Sequence, residues 1–260
     1  MIIQYSFNDL MTMDIPPKEY FKSGTKMDEL SKGFAKGEIH CICGSTNMGK
    51  SLTIVNLLLN FALNGYKTCL VSLENDDKDD TERLKEFILT KLIDDFTEDE
   101  YTNLFNNFMY FNASTEQPQE KLNFILDKLD DYEIVLVDGT EFLISGNTPV
   151  EVNANGRKLM EVLRTKCREK NACMILSWQT NRLADSKKLE ELTAGDLSGS
   201  MSVPQQCYTI WILKQWREKK TFYWKIRMLK GRGKYDFDNT IMNVYDNEKK
   251  EFSLTLHMEK

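Results

Sequence analysis

Short, wholly apolar runs alternate with longer stretches of helical periodicity along this chain of 260 residues. Residues 38–43, 68–73, 133–138 and 172–177 are blocks of apolar and β-branched side chains too short for helices, and they read as strands buried on both faces. Between them, residues 52–63, 120–129 and 155–170 read as helices, and residues 79–96 carry Leu84, Phe87, Ile88 and Leu92 at helical spacing. Residues 109–111 form a further short strand. Two late strands, 208–213 and 222–229, are separated by a charged turn over 214–220. Residues 1–30 look irregular, with Pro16 and Pro17 breaking any early helix before residues 18–21. There is no internal repeat and no low-complexity tract. This alternation predicts an α/β fold: a mainly parallel sheet flanked by helices, ligands at the carboxyl ends of the strands, and a C-terminal antiparallel extension.

Composition narrows the class without changing that picture. The chain is 41% hydrophobic and 28% charged, as expected of a globular domain. No apolar run approaches the ~20 residues that span a bilayer, and the N-terminus lacks the layout of a signal peptide. Six cysteines occur without a C-x-x-C pair, and Cys41, Cys43, Cys69 and Cys173 lie in strand-like runs, so free buried thiols in a reducing, cytoplasmic compartment are expected. His40 and His257 are the two histidines, which excludes a histidine-built zinc site; His40 is expected in the core or at a sheet edge. Net charge is −6, yet residues 74–100 hold twelve acids against four bases, while residues 214–234 hold nine bases against Glu218. Opposite charge in two regions suits either solvated faces or head-to-tail packing of identical subunits.

Candidate chemistry concentrates at residues 44–51. Gly44, Ser45, Thr46, Asn47, Met48, Gly49, Lys50 and Ser51 fit G-x-x-x-x-G-K-[ST] between a strand and a helix. In that motif the backbone N–H groups and the helix N-terminus face a polyphosphate, the lysine reaches the β- and γ-phosphates, and the terminal hydroxyl holds Mg²⁺. Binding of a nucleoside triphosphate is therefore expected. Asp138 ends an apolar strand, where it can hold the metal as a Walker B acid or cap a turn with Gly139. Glu74 ends the strand that follows the phosphate loop; there it can deprotonate the attacking water, or be one more acid in the crowd from Asp76 to Glu82. Gln179 follows another strand and offers a donor and an acceptor suited to sensing the γ-phosphate.

Together these motifs resemble the RecA-fold helicase domain of DnaB-type hexameric replicative helicases, most like those of T-even-type phages, over roughly residues 22–245. Ser23, Gly24 and Thr25, then Gly33 to Glu38, are similar to the family's lead-in, although Met27, Asp28, Glu29 and Leu30 stand where the family has leucine-aspartate. Ser72, Leu73 and Glu74 are similar to S-L-E, whose glutamate is the catalytic base. Arg83 follows at the family's spacing and is implied at the nucleotide. Gln179, Thr180, Asn181 and Arg182 resemble Q-L-N-R, whose glutamine couples nucleotide state to a DNA loop. The stretch from Asp196 to Pro204 resembles the segment after that loop, with Gly199 replacing a glutamate and Gln206, Cys207 and Tyr208 replacing D-A-D. Lys230 and Arg232 fit the K-x-R element that the family uses in trans on a neighbouring subunit's nucleotide.

The resemblance implies an ATP- and Mg²⁺-dependent DNA helicase that forms a homo-oligomeric, hexameric ring on single-stranded DNA during replication. Primase or a helicase loader would be a partner, with no membrane association. Its RecA-like domain would cover residues 22–260, after an N-terminal arm over residues 1–21 that contacts a neighbour or is disordered. Alternatives on the same core are a RecA-type recombinase filament and a nucleotide-switched assembly protein that moves no DNA. Arg232, flanked by glycines, suits an arginine finger or a basic hairpin. DNA contact is expected in the loops over 145–155 and 183–198, where Arg182, Lys187 and Lys188 either track the phosphate backbone or decorate an ordinary exposed loop.

Overall fold

In a computed structural model, residues 17–78, 81–82, 84–85, 97–198, 203, 206–218, 221–231, 240–246 and 251–253 are described. Five parallel strands, β3 (Ile39–Gly44), β4 (Thr68–Ser72), β5 (Phe108–Asn112), β6 (Ile134–Asp138) and β7 (Cys173–Gln179), form the centre of the sheet. β8 (Thr209–Glu218) adds parallel to β3, and β9 (Thr221–Gly231), β10 (Thr240–Asp246) and β11 (Glu251–Ser253) continue antiparallel beyond it. Among the described residues the order across the sheet is β11-β10-β9-β8-β3-β7-β6-β4-β5. A small second sheet pairs β1 (Tyr20–Phe21) with β2 (Phe34–Ala35) around the short helix α1 (Met27–Ser31).

Both faces of the central strands are covered, which is why their sequences are apolar without alternation. Ile39, Cys41, Cys43, Val71, Val135 and Val137 face one core with Ile125 and Leu129 of α4 (Pro118–Asp131) and with Leu159, Met160 and Leu163 of α5 (Pro149–Lys170). Ile42, Leu70, Ile134 and Leu136 face the other, against Ile54, Leu57, Leu58 and Phe61 of α2 (Lys50–Leu63). All six cysteines are free and buried. His40 is fully buried in its strand, its Nδ1 2.6 Å from Thr209 Oγ1, and burial lowers its pKa to about 4.

Several sequence expectations change. Residues 20–21 and 27–31 are not irregular: they are β1 and α1, and Phe21 sits in the core. Helix α3 (Glu98–Asn107) has no apolar stripe to betray it; a capping box starts it instead, Thr97 Oγ1 accepting from Glu100 N at 3.3 Å and Glu100 Oε2 from Thr97 N at 2.8 Å. The loop expected over 145–155 turns helical at Pro149, where Thr148 and Glu151 make a second capping box. Lys214 to Glu218, read as a turn, extend β8, because the antiparallel hairpin with β9 continues past the core. β10 and β11 were not expected at all. Phe87, Ile88 and Leu92, with most of the helix expected over 79–96, lie outside the described residues; Leu84 is buried.

Candidate active site

Sheet register brings the carboxyl ends of four strands side by side. Gly44 of β3 pairs with Gln179 of β7, and Ser72 of β4 pairs with Asp138 of β6. β3 connects through α2 to β4, passing over β7 and β6, so the phosphate loop sits beside strands that the chain reaches only later, at a topological switch point.

The loop itself is shaped by two positive φ values, 62° at Asn47 and 85° at Gly49. Gly49 is required twice over: a Cβ there would lie 2.3 Å from the indole nitrogen of Trp224, which β9 presses onto the loop. Gln215 N donates to Met48 Sδ at 3.4 Å from the same side. Lys50 is buried, and its Nζ donates to the carbonyl oxygens of Gly44 and Ser45, each at 3.0 Å, which holds the ammonium at the loop. Ser51 follows in the first turn of α2, a half-buried hydroxyl.

Acidic groups face this loop from neighbouring strands. Asp138 is buried at the end of β6, and its carbonyl accepts from Leu73 N at 2.9 Å, which ties it to the residue before Glu74. Lys121 of α4 donates to the Leu73 carbonyl at 3.3 Å. Glu74 is exposed and lies against Gly139, whose φ is 83° and where a Cβ would come within 3.0 Å of the Glu74 Cβ. Gly139 N donates to Ser177 Oγ at 2.7 Å, closing the turn onto β7.

Sequence reasoning missed one member of this group. Glu141, on the 3₁₀ turn Thr140–Leu143, has both carboxylate oxygens buried without a hydrogen-bond partner, and the Thr140 hydroxyl beside it is in the same condition. Burial raises the Glu141 carboxyl above its ordinary range; Lys50 opposes that rise, and Glu74 and Asp138 add to it. A carboxylate three residues after Asp138, on a turn with Leu143 buried, was the available signal. Hydroxyl and carboxylate oxygens with spare acceptor capacity are a donor set that fits a hydrated Mg²⁺. Among the described residues no three His, Cys, Asp or Glu side chains converge closely enough to hold a metal by themselves, in keeping with an ion shared with phosphates and water.

The segment after Gln179 is not an open loop. It folds into three 3₁₀ turns, Arg182–Ser186, Leu189–Glu191 and Ala194–Asp196, with Ala184, Leu189, Leu192 and Leu197 buried. Lys187 is used within it, 2.5 Å from the buried Asp196, which also accepts from Thr193 N and Oγ1. Burial would raise the Asp196 carboxyl, but these bonds outweigh it and hold it below the ordinary carboxylate range. The basic face expected there narrows to Arg182 and Lys188, both exposed. Ser45 Oγ lies 2.8 Å from Thr180 Oγ1 and also donates to the Asp185 carboxylate, so the phosphate loop touches this segment directly. Gln179 is half-buried, and Ser198 N donates to its carbonyl at 2.9 Å.

Lys230 stands elsewhere. β9 runs from Trp224, at the phosphate loop, to Lys230, which pairs with Ile210, while Thr209 pairs with His40 near the start of β3. Six residues of strand separate Lys230 from Trp224, about 20 Å at ~3.4 Å per residue. Lys230 is therefore at the opposite end of the sheet from its own phosphate loop. Arg83 and Arg232 lie outside the described residues.

A family model described as the KaiC ATPase matches residues 21–235. The solved ATPase domain of a phage helicase is similar at 18% identity and a TM-score of 0.68, with 95% of this chain and 94% of that chain covered. A DnaB-like replicative helicase, solved to show its interactions with primase, is similar at 18% identity and a TM-score of 0.70; 95% of this chain aligns, spanning 66% of that one. At such identity the likeness is one of fold, and in fold the resemblance to DnaB-type helicases holds. No curated protein sequence matches significantly.

Proposed function

Because this chain belongs to the KaiC family of ATPases, we propose that it works as an ATP-driven ring motor of the DnaB class on single-stranded DNA. The observation that carries this reading is the position of Lys230 at the far end of the sheet from its own phosphate loop. A lysine and arginine there are out of reach of the nucleotide in cis and suited to a neighbour's nucleotide, which calls for head-to-tail subunits.

In this reading residues 44–51 cradle the triphosphate, and Lys50 exchanges the carbonyls of Gly44 and Ser45 for the β- and γ-phosphates. Ser51 and Asp138 hold Mg²⁺, and Arg83 also contacts the nucleotide. Bound Mg²⁺ neutralises charge between the β- and γ-phosphates. Glu74 accepts the proton of the attacking water on its carboxylate, and Arg232 with Lys230 of the adjacent subunit stabilise charge developing on the γ-phosphate. Gln179 and the contacts of Ser45 with Thr180 and Asp185 carry nucleotide state to the segment bearing Arg182 and Lys188, which track the DNA backbone while Lys187 braces it. A hexamer in the cytoplasm, with primase or a helicase loader as partner, completes the proposal. The family match favours one second reading, a nucleotide-switched assembly that moves no DNA.

Mixing two inactive variants tests the ring. Arg232→Ala alone and Lys50→Ala alone should each lack ATPase activity, whereas a mixture should recover part of it, since a Lys50→Ala subunit offers its intact arginine to an intact phosphate loop. Recovery should disappear on dilution below the assembly concentration. No recovery, with subunit exchange shown separately, would contradict action in trans. Imaging with an ATP analogue and single-stranded DNA should show closed rings; filaments would point to a recombinase.

A further inference from the structure

Beside the phosphate loop, Glu141 is the one site-facing acid whose two oxygens, among the described residues, are both buried and without a hydrogen-bond partner. A dehydrated, unpaired carboxylate is costly, and proteins retain one where another species answers it. Its charged neighbours are Lys50, Glu74 and Asp138. Lys50 does not answer it, because its Nζ is held by the carbonyls of Gly44 and Ser45. The two acids repel it. What would satisfy it at this place is a cation with its water. The Thr140 hydroxyl, fully buried and likewise without a partner, adds a second polar group on the same turn.

Resting on the proposed ATP site, we propose that Glu141 is a positioning residue for the nucleotide's metal. With Asp138 it holds hydrated Mg²⁺ through the cation's water shell, and so sets the Mg²⁺ concentration at which the site takes up ATP. A carboxylate outside the direct coordination sphere is the kind of group whose loss lowers metal affinity by about 10- to 100-fold without removing a ligand. Glu74 remains the base, and Glu141 does not touch the attacking water.

The test is binding of a non-hydrolysable ATP analogue by the full chain as Mg²⁺ is titrated. Glu141→Gln keeps size and removes the charge, so without Mg²⁺ it should bind the analogue as well as the parent or better, with one negative charge fewer near the phosphates. With Mg²⁺, the half-saturating metal concentration should rise about 10- to 100-fold. Glu141→Asp should fall between the two. Electron spin resonance of Mn²⁺ with the analogue should show weaker metal retention by the same factor. An unchanged Mg²⁺ requirement in a folded Glu141→Gln protein, whether turnover persists or is lost, would overturn the inference. Failure of the parent chain to bind the analogue at any Mg²⁺ would overturn the ATP site itself, a separate outcome.

Discussion

Lys50→Ala is expected to abolish ATP hydrolysis while leaving a folded protein. The ammonium is the charge that meets the β- and γ-phosphates, and loss of one preorganised donor to a developing oxyanion costs about 10²–10³-fold in rate. Because the lysine also anchors the triphosphate, the combined loss should exceed that range. The cost to folding is smaller. Lys50 Nζ makes hydrogen bonds to the Gly44 and Ser45 carbonyls, and charge-assisted bonds of this kind contribute about 1.5–3 kcal/mol each against a typical stability of about 5–15 kcal/mol. A steady-state phosphate-release assay, paired with a melting curve, checks both halves. Turnover near the parent rate in a folded Lys50→Ala protein would remove the phosphate loop from the chemistry.

Glu74→Gln should separate binding from turnover. The metal and the triphosphate are assigned to Ser51, Asp138 and Lys50, so affinity for an ATP analogue should change little. Loss of the proton acceptor should lower turnover by about 10²–10⁴-fold. Glu74 is exposed and packs only its Cβ region against Gly139, so the substitution should not disturb the core. Single-turnover hydrolysis measured with equilibrium binding distinguishes this from a solvated surface acid, for which both values would stay at the parent level.

The two variants probe the part of the site that spacing made legible. A phosphate loop is legible because its chemistry is local: Gly44 to Ser51 carry glycines, lysine and hydroxyl at fixed offsets. Asp138 and Glu74 were legible because each follows a buried strand, and buried parallel strands announce themselves as unbroken apolar runs such as Ile39 to Cys43 and Ile134 to Val137. Glu141 was hidden because its burial comes from a 3₁₀ turn folding back on the sheet, which no periodicity encodes. The contact of Ser45 with Asp185 joins residues 140 positions apart and needs the β3–β7 register to be known.

The fold divides along the same physical line. Helix α3 was missed because Phe105 is 88% exposed and no residue of the helix is buried; only its capping box marked the start. The first turn of α5 was missed for a similar reason, with Val150 78% exposed. β8 was cut short because Lys214, Arg217 and Glu218 look like a charged turn, whereas an antiparallel hairpin that outruns its core tolerates charge on both faces. Lys187 was expected to face outward with Arg182 and Lys188, but a buried aspartate nine residues away takes it. Basic residues in a loop reveal their partners only once the loop is folded.

ATP hydrolysis by the purified chain, measured with and without single-stranded DNA at fixed Mg²⁺, tests the central claim most directly. A motor whose phosphate loop touches its DNA-facing segment through Ser45, Thr180 and Asp185 should hydrolyse ATP faster when that segment is engaged. We expect stimulation by single-stranded DNA of any sequence, weakening steeply as salt rises because the contacts are to backbone phosphate. Hydrolysis that proceeds at one rate whether or not DNA is present, with assembly intact, would contradict a DNA motor and leave the nucleotide-switched assembly in its place.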